Sequence, residues 1–343
     1  MIKRGDKFIL GNHRLMCGDS TNTNDVNALM NGNKAILVIC DPPYGMKKDI
    51  LYDDLEDAEL NEFNGKWISN SFSILKQFGS WYCWGWDERL MMLFANHIYP
   101  KIKSRDLTFK NLLVWDKINA FGMHSKQLNS YAKAKELCLF VEKGYENFNS
   151  AQNFDADNLE VFNYLRNEAE KAGLTQNLTK QITGTQMHRH WFNKSEWTLI
   201  TKKHYLEFQN YFKEKDFFLV DWESLKKRVS NKPKSPFIFN NTFDKFNDVF
   251  HFFRTQGKAR KECFDHPTVK PVEMMERIVK ASSNPDDVVV DLFSGSGSTL
   301  IACENSNRKA YVMELDPKWV ERNILRWEKL TGKKARKVNE FID

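Results

Sequence analysis

The chain has 343 residues, 41% hydrophobic and 28% charged, with 51 Lys+Arg against 45 Asp+Glu and a net charge of +6. That composition buries a core and excludes wholesale disorder, and the length suits one large domain or two smaller ones. No run reaches the ~18–20 apolar residues that span a bilayer, and the opening Met1-Ile-Lys-Arg-Gly-Asp lacks a signal peptide's apolar stretch, so a cytoplasmic protein is expected. Six scattered cysteines (Cys17, Cys40, Cys83, Cys138, Cys263, Cys303) without a CxxC read as buried free thiols rather than a zinc cluster or disulfide framework.

The N-terminal part alternates strand and helix. His13–Cys17 is a short apolar run ending at Gly18-Asp19, and Asp25–Met30 reads as a helix. Ala35–Cys40 (AILVIC) is continuously apolar, the pattern of a strand covered on both faces of a parallel sheet. It stops at Asp41-Pro42-Pro43-Tyr44, because proline cannot continue a ladder. A polar loop over 46–61 precedes an amphipathic helix over 63–78, a strand over 80–84 and a helix from Asp87 to His97. Leu112–Trp115 and Glu136–Val141 read as two more strands.

From 145 to 262 the alternation is lost. Residues 151–262 hold 19 Lys+Arg and 14 Asp+Glu, most of the chain's net charge, and suit an inserted module facing a polyanion or simply a solvated lysine surface. Leu159–Ala172 reads as a helix, and 178–197 as two short helices around Gly184, a weak helix-turn-helix hint. Gln186, Arg189, Asn193 and Lys194 have the side chains for base edges and phosphates, and Lys226, Lys227 and Arg228 open a basic loop. His188 and His190 lack the further ligands of a metal site.

Alternation resumes with a helix over Val272–Ala281 behind Pro271, the strand Val288–Asp291, the turn Leu292–Ser298 (LFSGSGS), a helix over 299–305, the strand Lys309–Met313 ending at Glu314, and a helix over 318–330. Ligands of open α/β sheets bind outside the carboxyl ends of strands. Two such ends carry chemistry. Glycine lets the turn at Gly295 and Gly297 approach a ligand closely, and the next helix aims its N–H groups there. The full GxGxxG fingerprint is absent, since Leu300 stands at its third glycine. A carboxylate one βα unit on, Glu314, suits ribose hydroxyls.

Asp-Pro-Pro-Tyr arises by chance in roughly one such chain in a thousand at average residue usage. An aryl amine is a poor nucleophile because its lone pair is delocalised. A carboxylate and a carbonyl accepting its N–H bonds favour the pyramidal nitrogen of a transition state. Pro42 presents a carbonyl with no donor of its own, and Tyr44 offers a face to a planar base.

DPPY with a DxFxGxG turn resembles the S-adenosylmethionine-dependent amino-methyltransferases of DNA. The motif order resembles their beta class: a circularly permuted class I (Rossmann-like) α/β fold, with a seven-strand mixed sheet and an inserted, mainly helical target-recognition module. The resemblance runs from about Gly11 to Trp327 and implies a catalytic half at 1–144, a target-recognition region at 145–262 and a cofactor-binding half at 263–343. It implies that Asp41, Pro42, Pro43 and Tyr44 handle the target amine. Asp291, Phe293, Ser294, Gly295 and Gly297 would hold the methionine moiety, with Thr268 and Lys270 of His266-Pro-Thr-Val-Lys-Pro completing that end. Glu314 would take the ribose, and Asp19 of Gly18-Asp19-Ser20 the adenine or merely a turn cap. Aspartate first in the tetrapeptide leans to adenine N6, with cytosine N4 as the alternative. The partner implied is double-stranded DNA entered by base flipping, with no metal; the family admits a homodimer and a cognate restriction endonuclease. A nucleotide-dependent dehydrogenase leaves DPPY unexplained. An inactive DNA-binding module leaves both strand-end motifs without a purpose.

Overall fold

In a computed structural model of the chain, the described residues are 1–45, 55–118, 134–144, 156–193, 197–229, 247–264, 266 and 268–341. They divide into two compact units, Met1–Tyr145 with Phe237–Asp343, and Glu146–Pro236.

The first unit opens with β1 (Lys7–Leu10), β2 (His13–Cys17), α1 (Thr23–Met30) and β3 (Ala35–Cys40). It continues through α2 (Asp57–Ile74), β4 (Leu75–Gly85), α3 (Asp87–Leu93), a π-turn over Phe94–Ile98, α4 (Tyr99–Lys103), β5 (Leu107–Asp116) and β6 (Lys135–Lys143). The second unit is helical in its described residues: α5 (Ala156–Lys171), α6 (Gln176–Thr183), α7 (His188–Phe192), α8 (Lys202–Tyr211) and α9 (Trp222–Arg228). The first unit then resumes with β7 (Val249–His251), α10 (Gly257–Glu262), α11 (Val272–Ser282), β8 (Val288–Asp291), α12 (Ser298–Asn305), β9 (Lys309–Glu314), α13 (Pro317–Thr331) and β10 (Arg336–Val338).

The strands form one mixed sheet in the order β10-β1-β2-β9-β8-β3-β4-β6-β5-β7. Seven strands were expected and ten are present among the described residues. The three extra strands extend its edges: β1 and β10 pair antiparallel beyond β2, and three-residue β7 pairs with β5. Short edge strands carry weak sequence signals, because few of their residues are buried. Through that pairing β7 belongs to the first unit.

β3 is buried along its whole length, as its unbroken apolar run requires. Parallel β8 and β4 flank it, and antiparallel β6 follows β4. One face of the sheet packs Val26 and Leu29 of α1 and Phe63, Trp67 and Ile68 of α2. The opposite face packs Met274 and Ile278 of α11, Leu300 of α12 and Trp327 of α13. The helix expected over 63–78 begins earlier, at a capping box where Glu56 and Glu59 satisfy each other's backbone, and yields to β4 at Leu75. Sheet pairing of Leu75 with Ala35 overrides helical periodicity there. Trp81 and Trp84 are fully buried core residues.

In the second unit Gly184 caps α6 with φ of 70°, a left-handed conformation that glycine adopts without strain. Trp191, Phe192, Tyr205, Phe208 and Phe218 form that unit's own core. Among the described residues no helix is long and apolar enough to cross a membrane. All six cysteines are buried free thiols.

Candidate active site

The parallel part of the sheet reverses its order between β8 and β3. From β8 the chain builds outward to β9, and from β3 outward to β4. Such a switch point opens a crevice at the strands' carboxyl ends. Val38 pairs with Val290, so β3 and β8 end beside each other, and Asp41 and Asp291 both line one cleft with Gly295, Glu314, His266 and Lys270. Asp19, Pro42, Pro43, Tyr44, Thr268, Phe293 and Ser294 line it too.

The glycine turn is built by backbone geometry. Gly295 and Gly297 have φ of 50° and 80°, where a side chain is strained. A Cβ on Gly295 would stand 3.2 Å from His266 Nε2, and one on Gly297 2.5 Å from Asn323 Oδ1. Asn323, fully buried, accepts from Ser294 Oγ at 2.7 Å and donates to the Gly295 and Trp319 carbonyls at 2.8 Å each. Phe293 borders the cleft, and its ring packs edge-on to Trp67, 5.2 Å between centroids.

Besides Asp316, which caps α13, four carboxylates face this space. Asp291 accepts from Phe293 N and Thr299 Oγ1, at 2.9 and 2.6 Å, yet burial pushes its carboxyl up to about 7. Glu314 accepts from Gly295 N at 2.8 Å and Asp316 N at 2.9 Å, and burial raises it as well. Each carboxylate has about four lone-pair sites, so both can accept further donors. Asp19 is held by Thr21 and by Arg4 NH2, the latter at 2.8 Å, so it braces a turn while bordering the cleft. Neighbouring His266, edge-on to Trp319, is pushed down to about 4, mainly by burial, and is neutral at physiological pH.

The fourth carboxylate, Asp41, is not isolated. Lys270 Nζ lies 2.6 Å from Asp41 Oδ2 and 2.6 Å from Glu136 Oε1. Lys117 Nζ lies 2.7 Å from the other oxygen of Glu136. The Tyr44 hydroxyl donates to Asp41 Oδ1 and stands 3.0 Å from Glu136 Oε1. Burial raises the Asp41 carboxyl, and Lys270 opposes that rise. Glu136 falls to about 2 despite burial, because two ammonium groups hold it charged.

Lys270 lines the cleft together with the glycine turn, and its ammonium pairs with the DPPY segment. A buried ammonium needs counter-charges, and these two carboxylates supply them. Glu136 and Lys117 were not singled out as site residues in the sequence. The available signal was an acidic residue opening the apolar run Leu137–Val141.

The DNA-contact candidates lie in the second unit. Gln186, Arg189, Asn193, Lys226, Lys227 and Arg228 are exposed there. Arg189 lies in α7, Gln186 precedes that helix and Asn193 caps it. Arg228 pairs with Glu160 at 3.0 Å, and Lys226 lies over the Trp222 ring. His188 Nδ1 is 2.7 Å from Thr179 Oγ1. Lys194 lies outside the described residues.

A family model described as DNA methylase, N6_N4_Mtase, matches residues 35–325. The chain belongs to the DNA methylase family. The methylase is 24% identical over 291 residues to the type II methyltransferase M1.MboII of Moraxella bovis, covering 84% of this chain and 87% of that one. It is 30% identical over 295 residues to the DNA adenine methyltransferase YhdJ of Escherichia coli K12, covering 84% and 75%. The crystal structure of M1.HpyAVI shares the fold, with a TM-score of 0.50 at 14% identity over 91% of this chain and 96% of that one. The methylase is therefore a DNA amino-methyltransferase whose cofactor is S-adenosylmethionine.

The cleft fits that cofactor. Its glycine turn leaves no room for side chains, its carboxylates keep acceptor sites for ammonium and hydroxyl donors, and its acidic lining favours a cation. Asp291 yields a testable consequence. Its folded value of about 7 lies above the ordinary carboxyl value of 3.8, so the unfolded state gives up its proton first. The native state loses stability as pH rises from about 4 to about 7, and nothing further above that. Asp291→Asn is therefore expected to melt higher than wild type at pH 8 without ligand, with the gap closing at pH 5. It should also bind S-adenosylmethionine more weakly. Melting curves at both pH values and calorimetric titration check this; a variant less stable at pH 8 contradicts it.

Proposed function

We propose that the methylase transfers a methyl group to the N6 amine of adenine in double-stranded DNA, with the target base turned out of the helix into the cleft. The observation carrying this reading is that Asp41 and the glycine turn border one cleft at adjacent strand ends. Aspartate at the head of the tetrapeptide and the adenine specificity of YhdJ, a 30% identical relative, support adenine over cytosine.

The bound cofactor supplies an electrophilic sulfonium methyl. Asp291, Ser294, Gly295, Gly297 and Thr268 would hold its methionine end, and Glu314 its ribose. Asp19, next to the Gly18 backbone, would border its adenine. Asp41 accepts one N–H of the target amine and the Pro42 carbonyl the other, which localises the lone pair on nitrogen. The Tyr44 ring, its hydroxyl tied between Asp41 and Glu136, is set in one orientation for stacking on the base. No covalent enzyme intermediate and no strong base are required, because the methylated amine is acidic and releases its proton to Asp41 or water. Exposed Gln186, Arg189, Asn193, Lys226, Lys227 and Arg228, with Lys194, are the proposed DNA contacts of the target-recognition region, 145–262.

Nucleoside mass analysis of DNA from cells expressing the methylase tests the reading. N6-methyladenine at one sequence motif is expected. N4-methylcytosine would overturn the base assignment, and unmodified DNA the activity.

A further inference from the structure

The carboxylate meant to receive the target amine is already occupied. Asp41 Oδ2 is 2.6 Å from Lys270 Nζ, and Asp41 Oδ1 accepts from the Tyr44 hydroxyl. Lys270 is 5% exposed and Glu136 likewise 5%. The base of Lys270 is fixed from both sides. Its carbonyl accepts from Ser298 Oγ at 2.8 Å, at the start of α12, and Pro271 follows with its constrained φ. Glu136 is fixed through Lys117 on its far oxygen. Two anions and two cations thus meet in one cluster, Lys270 and Glu136 buried, Asp41 and Lys117 half-buried, with one phenolic proton between the anions.

We propose that Lys270 and Glu136 are positioning residues for methyl transfer: Lys270 keeps Asp41 an acceptor, and Glu136 shares that ammonium so the target amine can displace it. This deepens the reading of the cleft as the methyl-transfer site and rests on it.

The argument follows from charge. Asp41 is faced by Glu136 and Cys138 from β6, Cys83 from β4, Asp291 from the end of β8, Cys40 and Tyr44 from its own segment, and Lys270 from the residues before α11. Burial holds the three thiols and the phenol neutral. Among these described groups Lys270 alone is positive. Without it Asp41 would sit buried beside a second carboxylate, the arrangement that drives one of the pair to take up a proton. A protonated Asp41 donates and cannot accept from the amine. With Asp41 as its only partner, however, Lys270 would close into a tight two-centre pair that a neutral amine displaces poorly. Glu136, at the same 2.6 Å, gives the ammonium a second place to stay when the amine arrives.

The test measures single-turnover methylation of duplex DNA against pH, with S-adenosylmethionine affinity measured by calorimetry. Lys270→Gln is expected to move the acid limb of the rate upward by at least ~1 pH unit, with cofactor affinity within about threefold of wild type. Glu136→Gln is expected to move the same limb downward, since a like charge leaves, and to lower the rate at neutral pH several-fold. Lys270→Arg, which keeps the charge, should leave the limb near its wild-type position. It also serves if the glutamine variant fails to fold. A Lys270→Gln limb that stays in place while cofactor affinity falls tenfold or more would make Lys270 a cofactor ligand and overturn the proposal. A Glu136→Gln limb that stays or rises overturns the role of Glu136. Wild-type protein that methylates no DNA refutes the parent reading instead.

Discussion

Asp41→Ala is expected to lower the methyl-transfer rate at least ~100-fold, the scale of removing one preorganised polar partner of a developing charge. The variant removes the carboxylate that accepts the amine and one of the two counter-charges of Lys270. Lys270 keeps Glu136, so the cluster stays paired and the fold survives. The glycine turn, Asp291 and Glu314 are untouched, and their backbone contacts do not involve Asp41. Cofactor affinity should therefore change less than about fivefold, a shift of under ~1 kcal/mol. The pairing of a lost rate with kept binding is the informative result. A purified Asp41→Ala protein retaining a tenth or more of wild-type turnover would remove Asp41 from the chemistry and with it the proposed mechanism.

Gly297→Val is expected to produce the opposite pattern, loss of cofactor binding first. At φ of 80° a β-branched residue is strained, by about 1–2 kcal/mol or more. Its Cβ would also fall 2.5 Å from Asn323 Oδ1. Asn323 cannot withdraw without cost, because it ties the turn to α13 through Ser294, Gly295 and Trp319. Breaking those bonds leaves buried polar groups unsatisfied, at about 1–3 kcal/mol each. With the strain and the loss of even one such bond, a total destabilisation of at least ~2 kcal/mol is expected, together with at least ~10-fold weaker S-adenosylmethionine binding. Thermal melting and calorimetric titration give the two readings. Unchanged affinity in a folded Gly297→Val protein would exclude the turn from the cofactor site.

Much of this arrangement is legible in the chain because it depends on local rules. The β3 run AILVIC is apolar at every position, so it requires cover on both faces. Two prolines end it, and two glycines mark the turn after β8 where positive φ is required. The boundaries that went astray have a different physical origin. Residues 75–78 continue a helical periodicity, yet the sheet claims Leu75 through its parallel pairing with Ala35. The strands β1, β7 and β10 exist because neighbouring edges offer unpaired backbone groups, which three or four residues of sequence do not announce.

The sequence by itself determined which residue types stand at the strand ends: a carboxylate before two prolines, and a carboxylate before a glycine turn. Each is a local consequence of where an apolar run must stop. Only the tertiary structure decided that Lys270 reaches Asp41 across 229 positions, and that Glu136, 92 positions from Tyr44, joins them. A buried ammonium takes whichever carboxylates the folded sheet brings within reach, and that depends on strand order rather than on any neighbour in the chain.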